Sequence, residues 1–145
     1  MKERENFVFF SMNDFVKEGG GTIRMLGIMN ELAIKNESVV FISNASDSTL
    51  DLFHPKIEHI YINHLFSRKD KRIFQGLLSI FPIFLINNQY QELFKKLKKI
   101  FSEQVPAEEV YFFEYLDNSI GYWLKKNNII KKYINDLHGV ATLEF

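Results

Sequence analysis

Cysteine is missing altogether, which excludes disulfides, thiolate nucleophiles and cysteine-ligated zinc. Net charge is missing too: 18 Lys+Arg balance 18 Asp+Glu, so there is no basic excess of the kind a general nucleic-acid binder needs. Proline and glycine are scarce, 3 and 7 in 145 residues, and no flexible linker, internal repeat or low-complexity tract is visible. The mostly apolar stretch of residues 73–86 contains Pro82 and is too short for a transmembrane helix. The opening MKEREN is charged and leads straight into an apolar run, so no signal peptide is expected. In the cytoplasmic chain this implies, the Asn-x-Ser triplets at Asn36 and Asn44 carry no glycosylation meaning.

What is present is a large apolar fraction, 46%, with 15 Phe, enough for the core of one domain. The stretch from residue 7 to 42 organises it. Phe7-Val8-Phe9-Phe10 reads as a buried strand, followed by a polar loop ending in Gly19, Gly20 and Gly21. Met25, Ile28/Met29 and Leu32 then fall on one helical face, Asn36 breaks the pattern, and Ser38-Val39-Val40-Phe41-Ile42 reads as a second strand. This is a βαβ unit. Downstream, residues 57–62 alternate as strand three, and two helices meet near Pro82, the second over residues 84–101. Residues 109–113 form strand four with Glu114 at its end, and Asp117 or Asn118 caps a helix through Lys126. Strand five climbs from Ile129 and ends at Asp136-Leu137-His138-Gly139. Alternating strands and helices with mostly apolar strands predict an α/β fold, a parallel sheet with helices on both faces.

In such sheets ligands sit beyond the carboxyl ends of the strands. Gly19, Gly20, Gly21, Asn44, Asn63/His64, Glu114, Asp136 and His138 all fall there. Glycines between a strand and a helix admit close approach of a ligand to the backbone, and helix-start N–H groups attract phosphate; otherwise they form a surface turn. Arg24 stands where the dinucleotide fingerprint requires its third glycine, and there is no Gly-Lys-Ser/Thr, so the usual nicotinamide and P-loop sites are not expected. Arg24 either pairs with phosphate or carboxylate or is a surface arginine. His54, His59 and His64 are spaced by five, which suits neither a helix face nor one strand face, so no metal site is expected. No nucleophile–base pair is evident. His138 either donates to a sugar hydroxyl or phosphate oxygen or satisfies local backbone groups. The second helix sets Tyr90, Leu93/Phe94, Leu97 and Ile100/Phe101 against Lys95, Lys96, Lys98 and Lys99. That is either a surface helix packed on the sheet or a basic amphipathic helix meeting an anionic membrane.

Together these features resemble the N-terminal, Rossmann-like domain of a GT-B fold retaining glycosyltransferase of family 4 (group 1). Gly20-Gly21-Thr22-Ile23-Arg24 is similar to that family's Gly-Gly-x-x-Arg opening, and Asp136-Leu137-His138-Gly139 to its Asp/His-Gly stretch at a later strand end. Asn36 stands for the family's glycine between first helix and second strand; asparagine tolerates the left-handed conformation. The resemblance implies sugar transfer from a nucleotide-sugar donor to a saccharide or lipid-linked acceptor, with no other cofactor. It puts Gly19, Gly20, Gly21, Arg24, Glu114, Asp136 and Gly139 in the cleft and His138 near the transferred sugar. It further implies a cytoplasmic location, peripheral on the inner membrane face. The family's C-terminal nucleotide-sugar domain has no counterpart in residues 1–145, so the chain alone is expected to be inactive. Rival readings are a non-catalytic interaction or membrane-docking domain and a different Rossmann-like enzyme acting on a phosphorylated small molecule.

Overall fold

Four consecutive bulky apolar residues in an extended chain must be buried on both faces, since successive side chains point to opposite sides. The computed structural model, which describes residues 6–11, 20–43, 51–62, 91–103, 110–114 and 118–136, builds them into β1 (Asn6–Ser11). The order along the chain is then α1 (Gly20–Ile34), β2 (Ser38–Ser43), β3 (Glu58–Tyr61), α2 (Gln91–Glu103), β4 (Val110–Glu114), α3 (Asn118–Lys126) and β5 (Lys132–Asp136). The strands form one sheet in the order β3-β2-β1-β4-β5, every pair parallel. Strand order reverses between β1 and β4, which is where open α/β sheets leave a crevice.

Alternation along each strand divides the apolar side chains between two cores. Phe9, Val39 and Phe41 pack with Met25, Met29 and Ala33 of α1. Val8, Phe10, Ile42, Tyr111 and Phe113 pack with Leu97, Ile100 and Phe101 of α2 and Ile120, Trp123 and Leu124 of α3. Helices therefore cover both faces, and the fold is the expected Rossmann-like α/β arrangement. Aromatic rings fill much of the interior. Phe9 stacks on Phe112 with centroids 4.5 Å apart, and Phe10 lies 5.5 Å from Phe101. Each such ring contributes about 1.5–3 kcal/mol through burial.

Both α1 and α3 end by the same device. Asn36 N donates to Ala33 O and Glu37 N to Leu32 O; Asn128 N donates to Lys125 O and Ile129 N to Leu124 O. These are Schellman pairs, and the residue they require in the left-handed region is Asn36 (φ 64°) or Asn128 (φ 56°). Asn36 thus takes the left-handed conformation that asparagine tolerates.

Several boundaries differ from expectation, those of β3 and β4 by one residue. Gly20 and Gly21 are not loop residues but open α1; Gly19 lies outside the described residues. Strand five starts at Lys132 rather than Ile129, because residues 127–130 are used by the α3 cap and Ile130 is buried in the core. β5 lies at the end of the sheet, with Ile134 45% exposed. The second lysine-rich helix is described from Gln91 and ends at Glu103, two residues past the expected stop, while the helix expected before Pro82 lies outside the described residues.

Gly121 fixes how closely α3 lies on the sheet. A Cβ there would stand 2.6 Å from Phe113 Cδ2 and 2.9 Å from Tyr133 Cδ2. Phe113 is fully buried and has nowhere to retreat, so Gly121→Ala should destabilise by about 1–3 kcal/mol despite its better helix propensity. Urea denaturation checks this; an unchanged midpoint would mean that α3 rides higher than described.

Candidate functional site

The crevice end of the sheet is reached by the last residues of β1, β2 and β3 and by the first turn of α1. In a parallel β–α–β unit the helix returns antiparallel to the strands, so its N-terminus stands beside the strand carboxyl ends. Here that turn is Gly20-Gly21-Thr22-Ile23, whose first N–H groups have no partner within the helix and which carries no acidic residue. A helix start of this kind suits an anion. Arg24 is on the same helix and exposed.

Side chains at the ends of β1–β3 form a row. Ser11 is paired with Ser43, and Ser43 with Tyr61, by strand register. Alternation puts all three on the α1 face, with Phe9, Phe41 and His59 one step below. Ser43 Oγ and His59 Nε2 share a hydrogen bond of 2.8 Å, its donor set by the imidazole tautomer. The ring of His59 is held between neighbours, 5.6 Å from Phe41 and stacked 6.2 Å from Phe53. Ser11 Oγ is the one buried side-chain polar atom without a hydrogen-bond partner among the described residues. Leaving such a hydroxyl unsatisfied costs about 1–3 kcal/mol.

None of this row was anticipated. Ser11 follows the aromatic run of β1 and Ser43 that of β2, each a small polar residue ending a buried strand, and that pattern was the available signal. The Ser43–His59 contact joins a serine hydroxyl to an imidazole. Ser43 is 0% exposed, however, so its hydroxyl is not offered to a diffusing substrate as a nucleophile. No cluster of three or more potential metal ligands occurs among the described residues.

Of the expected site residues, Gly20, Gly21 and Arg24 come together at the start of α1. Glu114 and Asp136 are register partners at the ends of β4 and β5. β1 and β4 are paired up to Phe10 and Phe113, so Glu114 is the next position beside Ser11. Gly19, Asn44, Asn63, His64, His138 and Gly139 lie outside the described residues.

The β2–β3 connection is anchored from α1. Asn30 Nδ2 donates to Leu52 O at 3.1 Å, and His54 N donates to Asn30 Oδ1 at 2.8 Å. This brings Phe53 onto Phe41 with centroids 5.3 Å apart. On the opposite face, α2 buries Leu97, Ile100 and Phe101 and exposes Lys95, Lys96, Lys98 and Lys99, the stripe its periodicity predicts. No helix among the described residues is long and apolar enough to cross a membrane. No family model, curated protein or solved structure matches the chain.

Asn30 supplies both a donor and an acceptor to the segment 51–57. Asn30→Ala should lower stability by about 1–2 kcal/mol and shift the amide resonances of Leu52 and His54 while sparing β4 and β5. Equal shifts across the whole sheet would show instead that the substitution acts globally.

Proposed function

We propose that the chain is the acceptor-side, Rossmann-like domain of a glycosyltransferase that moves a sugar from a nucleotide-sugar donor to a saccharide or lipid-linked acceptor. The observation that carries this reading is the pairing of two chemistries at one crevice. On one side α1 opens with Gly20-Gly21 and no acidic residue, an end suited to a diphosphate. On the other, Glu114 and Asp136 end adjacent strands in register, and carboxylates are the strongest acceptors for sugar hydroxyls. A nucleotide sugar and its acceptor present both. The Gly-Gly-x-x-Arg resemblance at residues 20–24 adds support of its own.

The mechanism assigned to these residues is binding and orientation. Amides of the first turn of α1, with Arg24, hold phosphate oxygens, and Glu114 and Asp136 fix hydroxyls. His138 and Gly139 enter through the resemblance alone, His138 beside the transferred sugar. A second domain supplies most of the nucleotide contacts, so this domain by itself does not turn over. The reading is tested by titrating the isotope-labelled chain with uridine- and guanosine-diphosphate sugars at millimolar concentration. Saturable shifts at the amides of Gly20 to Ile23 are expected, weakened at least roughly threefold by Arg24→Ala, equivalent to the loss of one modest charge-assisted contact. Absence of any shift there would sink it. Product formed by the chain alone would overturn the division of labour.

The same reading includes docking to the inner face of a membrane. Lys95, Lys96, Lys98 and Lys99 of α2 share the sheet face with α3, which adds Lys125 and Lys126 in its last turn, and Tyr122 of α3 is 48% exposed. Near an anionic lipid surface each lysine contributes about 1 kcal/mol. Co-sedimentation with phosphatidylserine vesicles at low salt, lost as salt is raised, is the expected result; no sedimentation at low salt would remove docking while leaving the transferase reading in place.

A further inference from the structure

We propose that the outward face of α1 docks on the same face of a second copy of this chain, the two helices crossing antiparallel about a two-fold axis near Gly27. The surface is built from Ile23, Gly27 and Ile34, flanked by Arg24 and Glu31. It faces away from the sheet, and its role does not depend on the transferase reading.

The two helix layers are dressed differently. α2 turns Lys95, Lys96, Lys98 and Lys99 to the water, and α3 ends in Lys125 and Lys126. α1 has only two charged residues between Gly20 and Ile34, Arg24 and Glu31. Its sheet side is taken by Met25, Met29 and Ala33. The opposite side carries Ile23, 58% exposed, and Ile34, 59% exposed, about three turns apart on one stripe. A helix that is apolar on both sides is one that is covered on both sides. Gly27 lies between the two isoleucines on that stripe and is exposed, and a Cβ there would meet nothing within 4 Å. Its place in the chain thus leaves room for a side chain, and glycine in a helix interior costs about 1 kcal/mol relative to alanine. What the missing side chain permits is the close approach of a second backbone.

The occupant is a second copy because the stripe is complementary to itself. Ile23 and Ile34 stand equally far from a midpoint between Ile28 and Met29. An antiparallel two-fold about that point sets Ile23 of each copy on Ile34 of the other, with the two Gly27 residues astride the crossing. The same operation lays each flank of one helix along the matching flank of the other. Arg24 and Glu31 are both exposed and, seven residues apart, share one flank, so each Arg24 falls beside Glu31 of the other copy. The two contacts are equivalent, as in any isologous interface, and both join opposite signs. A parallel arrangement would set like charges together. Arg24 has five N–H donors, so a contact with Glu31 leaves it able to hold an anion as well. The two helix starts lie at opposite ends of the pair, which leaves both crevices open. A single helix pair covers less than the roughly 1,200 Å² at which stable interfaces begin, so the association is weak and reversible.

The test is sedimentation equilibrium of the full chain from about 10 μM to about 1 mM, the range of weak association. A reversible monomer–dimer equilibrium is expected. Gly27→Lys should weaken it by at least roughly tenfold, because it brings two cations together at the crossing. That variant should melt no lower than the parent, because its side chain enters open space. Arg24→Glu and Glu31→Arg should each weaken the dimer by roughly tenfold, turning two ion pairs into two like-charge pairs. An equimolar mixture of these two variants should form a mixed dimer about as tight as the parent, since every contact is again between opposite signs. The mixing experiment decides independently of how Gly27→Lys folds. A chain that stays monomeric up to about 1 mM overturns the proposal, whatever else binds α1. So does a dimer that Gly27→Lys leaves intact, or a mixture of the charge variants that associates no better than either alone.

Discussion

Burial of β1 on both faces is the constraint on which the rest of the structure depends. Val8 and Phe10 enter one core, Phe9 the other, and the backbone is paired on both sides, to β2 and to β4. A strand with no solvent face cannot slip by one residue without exchanging the contents of two cores. The registers of β2 and β4 against it are fixed by that penalty, and through them the alignment of every residue at the crevice. Ser11 meets Ser43 because Phe9 meets Phe41.

Much of the architecture was legible because apolar spacing was unambiguous. Phe7 to Phe10, Val39 to Ile42 and Tyr111 to Phe113 are short, bulky runs that suit only buried strands, and Met25, Met29 and Leu97 fall on helical periods. The boundaries that were misread have local causes. Gly20 and Gly21 looked like a loop because glycine is a poor helix former, yet a helix start needs little intrinsic propensity when Met25 and Met29 downstream are buried. Ile129 and Ile130 looked like strand because they are β-branched; they are apolar because the cap of α3 turns them into the core.

The positions of Gly20, Gly21 and Arg24 near a helix start and of Glu114 and Asp136 at strand ends were legible in the sequence. The hydroxyl row was not legible, because it rests on register. Ser11, Ser43 and Tyr61 are far apart in the chain, each is ordinary alone, and only strand pairing places them side by side. His59 shows the same limit. Its spacing from His54 and His64 was uninformative, whereas its place one step below the end of β3 gives it Ser43 as a partner.

The strand order also governs the history of each molecule as it is made. β1 emerges early, but its partner on one side is β4, and Phe7 meets Val110 across about a hundred residues of chain. Until that segment has been synthesised, β1 can close only against β2, and its other edge, flanked by Phe7, Phe9 and Phe10, has nothing to pair with. Non-local parallel pairing is slow and leaves strand edges open to wrong partners. Until β4 follows, the nascent sheet is half built, with an aromatic rim at the unpaired edge of β1. That exposure is written into the topology rather than into any weakness of the finished fold.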